Sequence, residues 1–295
     1  MGGEKIVAGL IAAALSACAR GKPITVGSKN FTEQVLLGEI VAQHVSLRLS
    51  QRVDRKLNLG GTLLAHQAML QGGLDVYPEY TGTALTAILK LPLSSDPNDV
   101  LARVRSEYQK RFNIAWLEPL GFNNTFAMVI RGEDARRGKI DSLSGAVRAA
   151  PGKEGWRLGV GYEFQQRPDG LPGLLQTYKL PLKGAPKTMD LGLLYKALEQ
   201  KQVDMVAANA TDGLLSVMDV NVLKDDKRYF PPYQAALVVR ADALAAHPSL
   251  KEALDQLSGK FSDEVMRALN YQVDGKHRPV GEVALTFLRA AGFLA

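Results

Sequence analysis

The sequence predicts an α/β protein built as two lobes. Three observations carry this. The chain has 295 residues, more than one hydrophobic core usually organises. Short apolar strands alternate with helix-period segments along its length. At Gly121 the chain changes character, and Phe122-Asn123-Asn124-Thr125-Phe126 leads into a fresh strand, FAMVIR. With 46% hydrophobic and 22% charged residues, the composition is that of an ordinary globular protein.

The first half opens with a strand, Pro23 to Gly27, running into Ser28-Lys29-Asn30-Phe31-Thr32-Glu33. Asn30 and Glu33 have the spacing of a capping box, and Leu37, Ile40, Val41 and Val45 share one face of the helix that follows. A strand feeding a helix N-terminus, with Lys29 beside it, suits an anion; the same lysine also fits an exposed loop. A strand near Arg55 to Leu59 and a helix, TLLAHQAMLQ, stopped by Gly72-Gly73, come next. His66 in that helix reads as a packing or surface residue, since no second ligand stands at metal spacing.

The stretch Leu74 to Thr83, LDVYPEYTGT, is the most unusual of the chain. Leu74 and Val76 alternate with Asp75 and Tyr77 as in a strand with one buried face. Pro78, lacking an N–H, is expected to end the ladder. Gly82 is expected to make a tight turn and Thr83 to cap the following helix. Tyr80 and Thr83 then sit at the C-terminal edge of a sheet, where open α/β folds hold ligands. Ser95-Asp96-Pro97 starts a helix reaching about Arg111, and Ile114 to Leu117 reads as a strand.

In the second half, Ser142 to Ala149 reads as a helix and Trp156 to Val160 as a strand. Glu163 to Gly170 reads as a polar loop, EFQQRPDG. Helices around Leu171–Tyr178 and Leu191–Gln200 precede a strand at Val203 to Ala207, then Asn209-Ala210-Thr211-Asp212-Gly213. Pro231-Pro232-Tyr233 introduces the strand AALVVR, and helical segments fill the C-terminus.

No phosphate-loop lysine, HExxH or nucleophile elbow occurs, GVGYEF lacks the third glycine of a dinucleotide fingerprint, and the four histidines are scattered. Neither enzyme chemistry, a cofactor nor a metal is expected. The formal charge of +6 is dispersed, with acids among the bases in RGEDARRGK and LKDDKR, so nucleic acid is not an expected partner. After the N-terminus no apolar run approaches a membrane span, and a soluble body is expected. Ile6 to Leu15 has the length of a signal-peptide core. It ends in Leu15-Ser16-Ala17-Cys18, which resembles a bacterial lipobox. Cys18 is the one cysteine of the chain, which suits a thiol used for lipid rather than for a disulfide.

Six segments together resemble one family: VGSKNFTE, DVYPEYTGT, NNTFAM, EFQQRPDG, ANATDG and FPPYQAALVV, spread in order from Val26 to Val239. The family is that of the extracytoplasmic binding subunits of osmoprotectant ABC importers, which capture glycine betaine, choline, carnitine and related compounds. The resemblance implies a two-lobed, type II Venus-flytrap fold with two crossovers. Residues 1–17 would be a lipoprotein signal peptide, 18–22 a tether, 23–124 with 232–295 the first lobe, and 125–231 the second. It implies a betaine-type ligand, a membrane permease with its ATPase as partners, and an extracytoplasmic site held to the membrane through Cys18. A sensing flytrap that reports ligand without transport is the other use of such a fold.

By the same resemblance the ammonium cage falls on Tyr80, Phe126, Asn209 and Tyr233, and the carboxylate contacts on Lys29, Thr83 and Arg167; Tyr233 after Pro231-Pro232 also fits hinge packing, and Arg167 also fits a pair with Asp169 or Glu163. The chemistry agrees. A trimethylammonium has no N–H to donate, and aromatic faces hold it at about 0.5–2 kcal/mol each. A carboxylate takes a guanidinium fork and charged donors. Phe126 and Asn209 depart from the family's tyrosines. Phe126 keeps an aromatic face, whereas Asn209 loses a wall and brings a donor and an acceptor. That change points to a larger, functionalised betaine such as carnitine or ergothioneine, or else to loose binding of glycine betaine.

Overall fold

The computed structural model describes residues 22–152 and 154–294; Cys18 and the segment read as a signal peptide lie outside them. The described chain folds around two five-stranded sheets. The first is built from β1 (Ile24–Gly27), β2 (Val53–Lys56), β3 (Val76–Tyr80), β4 (Ile114–Asn123) and β10 (Gln234–Arg240), in the order β2-β1-β3-β10-β4. The second is built from β5 (Phe126–Arg131), β6 (Leu158–Val160), β7 (Lys187–Thr188), β8 (Met205–Asn209) and β9 (Val220–Val222), in the order β7-β6-β8-β5-β9.

The two sheets share one plan. In each, three neighbouring strands run parallel, and a strand arriving from the other sheet inserts antiparallel: β10 beside β3, and β5 beside β8. The central parallel strands are almost wholly apolar, as strands covered on both faces must be. Each sheet therefore has a core on both sides: Val26, Ile40 and Leu237 on one face of the first, Tyr77, Val104 and Trp116 on the other. Among the described residues no helix is long and apolar enough to cross a membrane.

Two segments cross between the sheets and bond to each other. Asn124 donates its backbone N–H to the Tyr233 carbonyl at 3.1 Å, and Tyr233 donates to Asn123 Oδ1 at 2.6 Å. The C-terminal helix Asp263–Asp274 lies over the turn Gly213–Ser216 of the other lobe. A Cβ on Gly213 would stand 2.3 Å from the Tyr271 backbone nitrogen, so glycine is what lets the two lobes touch there.

Several local expectations are corrected. β3 does not stop at Pro78; it continues to Tyr80, with Pro78 opposite Leu237 of β10. Tyr80, two residues on and of the same parity, sends its N–H to Glu79 Oε1 at 2.7 Å rather than into the ladder. The missing N–H of Pro78 thus faces the side where β1 has already parted from β3, their register being Val26 with Val76 alone. Thr83 caps nothing: it lies within a helical turn, Thr81–Thr83, that runs into a π-helical turn, Ala84–Ile88. Gly82 makes no left-handed turn either. Its Cβ would meet the Pro232 carbonyl oxygen and the Tyr233 ring at 2.7 Å, so close approach is what it permits. The helix Thr32–Leu49 has Phe31 at its N-cap with no side-chain cap, so Asn30 and Glu33 form no capping box. The segment read as a polar loop begins with a short helix, Tyr162–Gln166.

Candidate ligand site

A cavity of about 810 Å³ opens between the lobes. Its walls are the C-terminal ends of β1, β3, β6 and β8 with the segments that follow them, and the start of the antiparallel β5 with the segment before it, so these strand ends aim their loops at one space. All seven side chains singled out in the sequence line it: Lys29, Tyr80, Thr83, Phe126, Arg167, Asn209 and Tyr233.

The aromatic members come together. Phe126 meets Tyr233 edge-on, ring centroids 5.4 Å apart at 71°, and meets Phe164 at 4.8 Å and 77°. Tyr80 stands across the cleft with Phe31 stacked alongside at 6.3 Å. Phe31 and Phe164 are ring walls that sequence reasoning missed. Asn209 takes a wall position as a polar residue; its backbone N–H and side-chain amide both turn to Asp212, at 3.0 and 3.4 Å.

The cationic members do not form a separate end. Lys29 is 2% exposed and donates to Glu79 Oε1 at 2.5 Å, with its Nζ 4.8 Å from the Tyr80 ring centre. Arg167 grips Asp169 with two N–H groups, at 3.0 and 2.5 Å, and donates to the Thr83 hydroxyl at 3.1 Å. Its guanidinium carbon lies 5.2 Å from the Phe126 ring and 5.7 Å from Tyr233. The expected split into an aromatic end and a cationic end is therefore corrected: rings and cations interleave, and each cation already holds a buried carboxylate. The physical reason is desolvation, since two buried cations facing an apolar cleft without counter-ions would be expensive.

The sequence offers Asp169 or Glu163 as partners for Arg167, and both lie within reach of it; the roles of Glu79, Glu33 and Asp212 it does not reveal. Asp169, wholly buried, also accepts the Tyr233 hydroxyl at 2.5 Å. Glu163 reaches from the second lobe to the N-terminus of the first-lobe helix Thr62–Leu70, accepting the Thr62 N–H at 2.5 Å and its hydroxyl at 3.0 Å. Burial pushes the Glu163 carboxyl up, but Lys29, Arg167 and the Thr62 donors outweigh it and hold it below its ordinary range. Glu33 is 3% exposed and receives four hydrogen bonds. Asp212 is pushed up to about 6, chiefly by burial. Each acid lies within or beside a motif that drew attention for another residue: Glu79 before Tyr80, Asp169 two after Arg167, Asp212 three after Asn209. The other expected packing residue, His66, is buried edge-on against Tyr108 and Phe112, and burial lowers its pKa to about 4.

A two-lobed α/β cleft with an aromatic and ionic lining has a counterpart among known proteins. The family described as the substrate binding domain of ABC-type glycine betaine transport systems, OpuAC, matches residues 22–290. The chain belongs to this family. It is 36% identical over 290 residues to the glycine-betaine-binding protein of Pseudomonas aeruginosa, covering 96% of this chain and 91% of that one. It is 34% identical over 276 residues to the ergothioneine transport permease/ergothioneine binding protein EgtU of Helicobacter pylori, covering 92% of this chain. The chain spans about half of that relative, 48% of its length. Among solved structures, a glycine betaine/carnitine/choline ABC transporter protein superposes with a TM-score of 0.75 at 29% identity, over 92% of this chain and 99% of that one. The OpuAC assignment agrees with the resemblance carried by the six segments and with the two-lobed α/β architecture.

Proposed function

We propose that this OpuAC-family protein is the solute receptor of an ABC importer and that it closes its two lobes on a quaternary-ammonium zwitterion of the betaine type. The observation that carries this reading is the convergence of Tyr80, Phe126 and Tyr233 with Lys29, Thr83 and Arg167 on one interlobe cavity. The rings hold a cation that cannot donate a hydrogen bond. Arg167 spends its Nε edge on Asp169, so its Nη1 edge, together with the Thr83 hydroxyl, is what meets the ligand carboxylate; Lys29 adds charge from the opposite lobe. A ligand touching both lobes favours the closed form by its differential affinity for it.

The protein delivers its ligand unchanged to a membrane permease driven by a cytoplasmic ATPase, and works outside the cytoplasm, held to a membrane by lipid on Cys18. Titration calorimetry with glycine betaine, choline, carnitine and ergothioneine tests the binding reading; no heat from any of them ends it. Recovery of the bound compound unaltered by mass spectrometry tests the absence of chemistry. Retention of Cys18→Ser in the membrane fraction would remove the lipid anchor.

One observation favours a larger member of the ligand class. Asn209 stands on the wall with Asp212 and the Tyr195 hydroxyl behind it, the last two 3.0 Å apart, giving a polar face beyond the rings. A betaine bearing a second polar group fits that face better than glycine betaine does. Tightest binding by plain glycine betaine in the same panel would end this second reading.

A further inference from the structure

Glu33 lies in the first turn of the helix Thr32–Leu49, at the floor of the cleft. Its Oε1 accepts the Tyr80 hydroxyl at 2.6 Å and Asn124 Nδ2 at 2.8 Å. Its Oε2 accepts the Thr211 hydroxyl at 2.5 Å and Asn270 Nδ2 at 3.0 Å. These donors come from the first lobe, a crossover, the second lobe and the C-terminal helix. All four are neutral, and Glu33 makes no ion pair among the described residues.

The donor count identifies the form of Glu33 that the network requires. Each oxygen takes one amide N–H and one hydroxyl. The amide nitrogens cannot accept, so a proton on either oxygen would force a hydroxyl to turn away. Asn270 is fixed in the same sense: its Nδ2 gives to Glu33 and to the Thr211 carbonyl at 2.9 Å, both acceptors. Its Oδ1 is then a buried acceptor with no partner, in a residue that lines the cavity. Four donors thus favour the ionised carboxylate, while burial pushes its pKa up. A buried charge of this kind lacks only a cation.

The protein's own cations do not supply one. Lys29, though its Nζ lies 4.8 Å from the Tyr80 ring centre, is paired with Glu79, and Arg167 with Asp169; neither bonds Glu33. The acids that remain on the cavity wall are Glu33, Glu163, Asp190, Asp212 and Asp274. Among them Glu33 is the one bonded directly to a ring of the proposed cage.

We propose that Glu33 is the counter-charge for the bound ammonium, acting beneath the cage and through the Tyr80 ring. A phenol whose proton is shared with a carboxylate carries more electron density on its face, which strengthens its pull on a cation. The carboxylate adds a direct attraction across a site with little water to screen it. The unpartnered Asn270 Oδ1 agrees with this, because a buried acceptor beside Glu33 adds the negative end of an amide dipole. This inference rests on the betaine reading and names the residue that supplies its electrostatic selectivity.

The test compares glycine betaine with 3,3-dimethylbutanoate, which keeps the carboxylate and shape but has carbon in place of the charged nitrogen. Affinities are measured by calorimetry and competition for wild type, Glu33→Gln, and Glu33→Gln with Asn270→Asp. In the double variant one negative charge returns to the network, and the amide introduced at position 33 gains an acceptor. Glu33→Gln should weaken glycine betaine about tenfold or more and shrink its advantage over the neutral analogue; the double variant should restore that advantage. An unchanged preference in a folded Glu33→Gln overturns the inference and leaves the betaine reading standing. Should Glu33→Gln fail to fold, the double variant decides: preference for glycine betaine retained supports the inference, and preference lost overturns it. A wild type that binds no trimethylammonium compound removes both.

Discussion

Glu163 reaches across the cleft and accepts the backbone N–H of Thr62 at 2.5 Å, a carboxylate of one lobe seated on a helix N-terminus of the other. The free N–H groups and the positive dipole end of that helix are what the anion-site reading of such termini anticipates. Here the anion is the protein's own. The contact joins the lobes, so it adds to the stability of the form in which they meet. Glu163→Ala should weaken ligand binding by several-fold, with about 1 kcal/mol at stake once partial exposure is allowed for. Small-angle scattering of the ligand-free variant should show a larger radius of gyration; an unchanged profile and affinity would refute the latch.

The same contact carries a pH dependence with a definite sign. Glu163 is held below its ordinary range in the closed form. Its contribution is therefore complete above the ordinary carboxyl pKa and disappears as pH falls through the depressed value. Scattering across mildly to strongly acidic buffers should show opening at the acid end in wild type, and a flat response in Glu163→Gln.

Asp212 behaves in the opposite sense. Its ordinary value of 3.8 is pushed up to about 6 in the folded protein. Between those values the folded state binds more protons than the unfolded chain, so stability falls as pH rises through that window. Urea unfolding of wild type and Asp212→Asn should diverge there, with the variant losing that slope.

Asp169 is a second point of leverage. Breaking its buried pair with Arg167 by Asp169→Ala leaves a guanidinium stranded beside the rings and should cost about 3–5 kcal/mol of stability. Replacing both, Arg167→Met with Asp169→Leu, should cost less than the single change, because no uncompensated charge is left. Chemical denaturation of the three proteins measures both, and a harmless Asp169→Ala would contradict the pairing.

Asn209→Tyr should restore a wall to the cage. An added aromatic face is worth about 1 kcal/mol, or several-fold to tenfold in affinity for glycine betaine. Calorimetry reads the change directly; a weakened affinity would show that the polar face at Asn209 is used by the small ligand as well.

The legible part of the site, through the family resemblance, was a set of positions that share one cavity wall. Lys29, Tyr80, Thr83, Phe126, Arg167, Asn209 and Tyr233 all line one cavity, because each lies at or beyond the C-terminal end of a parallel strand or at the start of an antiparallel one, and these ends face the same space. Most of their partners were not legible. Asp169 and Glu163 stand close enough to Arg167 in the sequence to be weighed as its partners, but Glu79 and Glu33 are ordinary acids there. The pairs they make span 50 residues for Lys29 with Glu79 and 237 for Glu33 with Asn270, and no local period encodes a contact at such separations. Pro78 shows the same limit within one element: whether a missing N–H matters depends on which neighbour flanks that side, and the neighbour is far along the chain.

Apolar periodicity and turn residues were enough to set the alternation of strands and helices, because both act over a few neighbours. The side chains named for the cleft came instead from the resemblance of six segments to a known family. Only the folded molecule decided that each cation is neutralised from within, that Glu163 bridges the lobes and that Glu33 lies buried against the Tyr80 hydroxyl. Those outcomes depend on which groups share a water-poor space, and burial multiplies electrostatic interactions that the unfolded chain hardly feels.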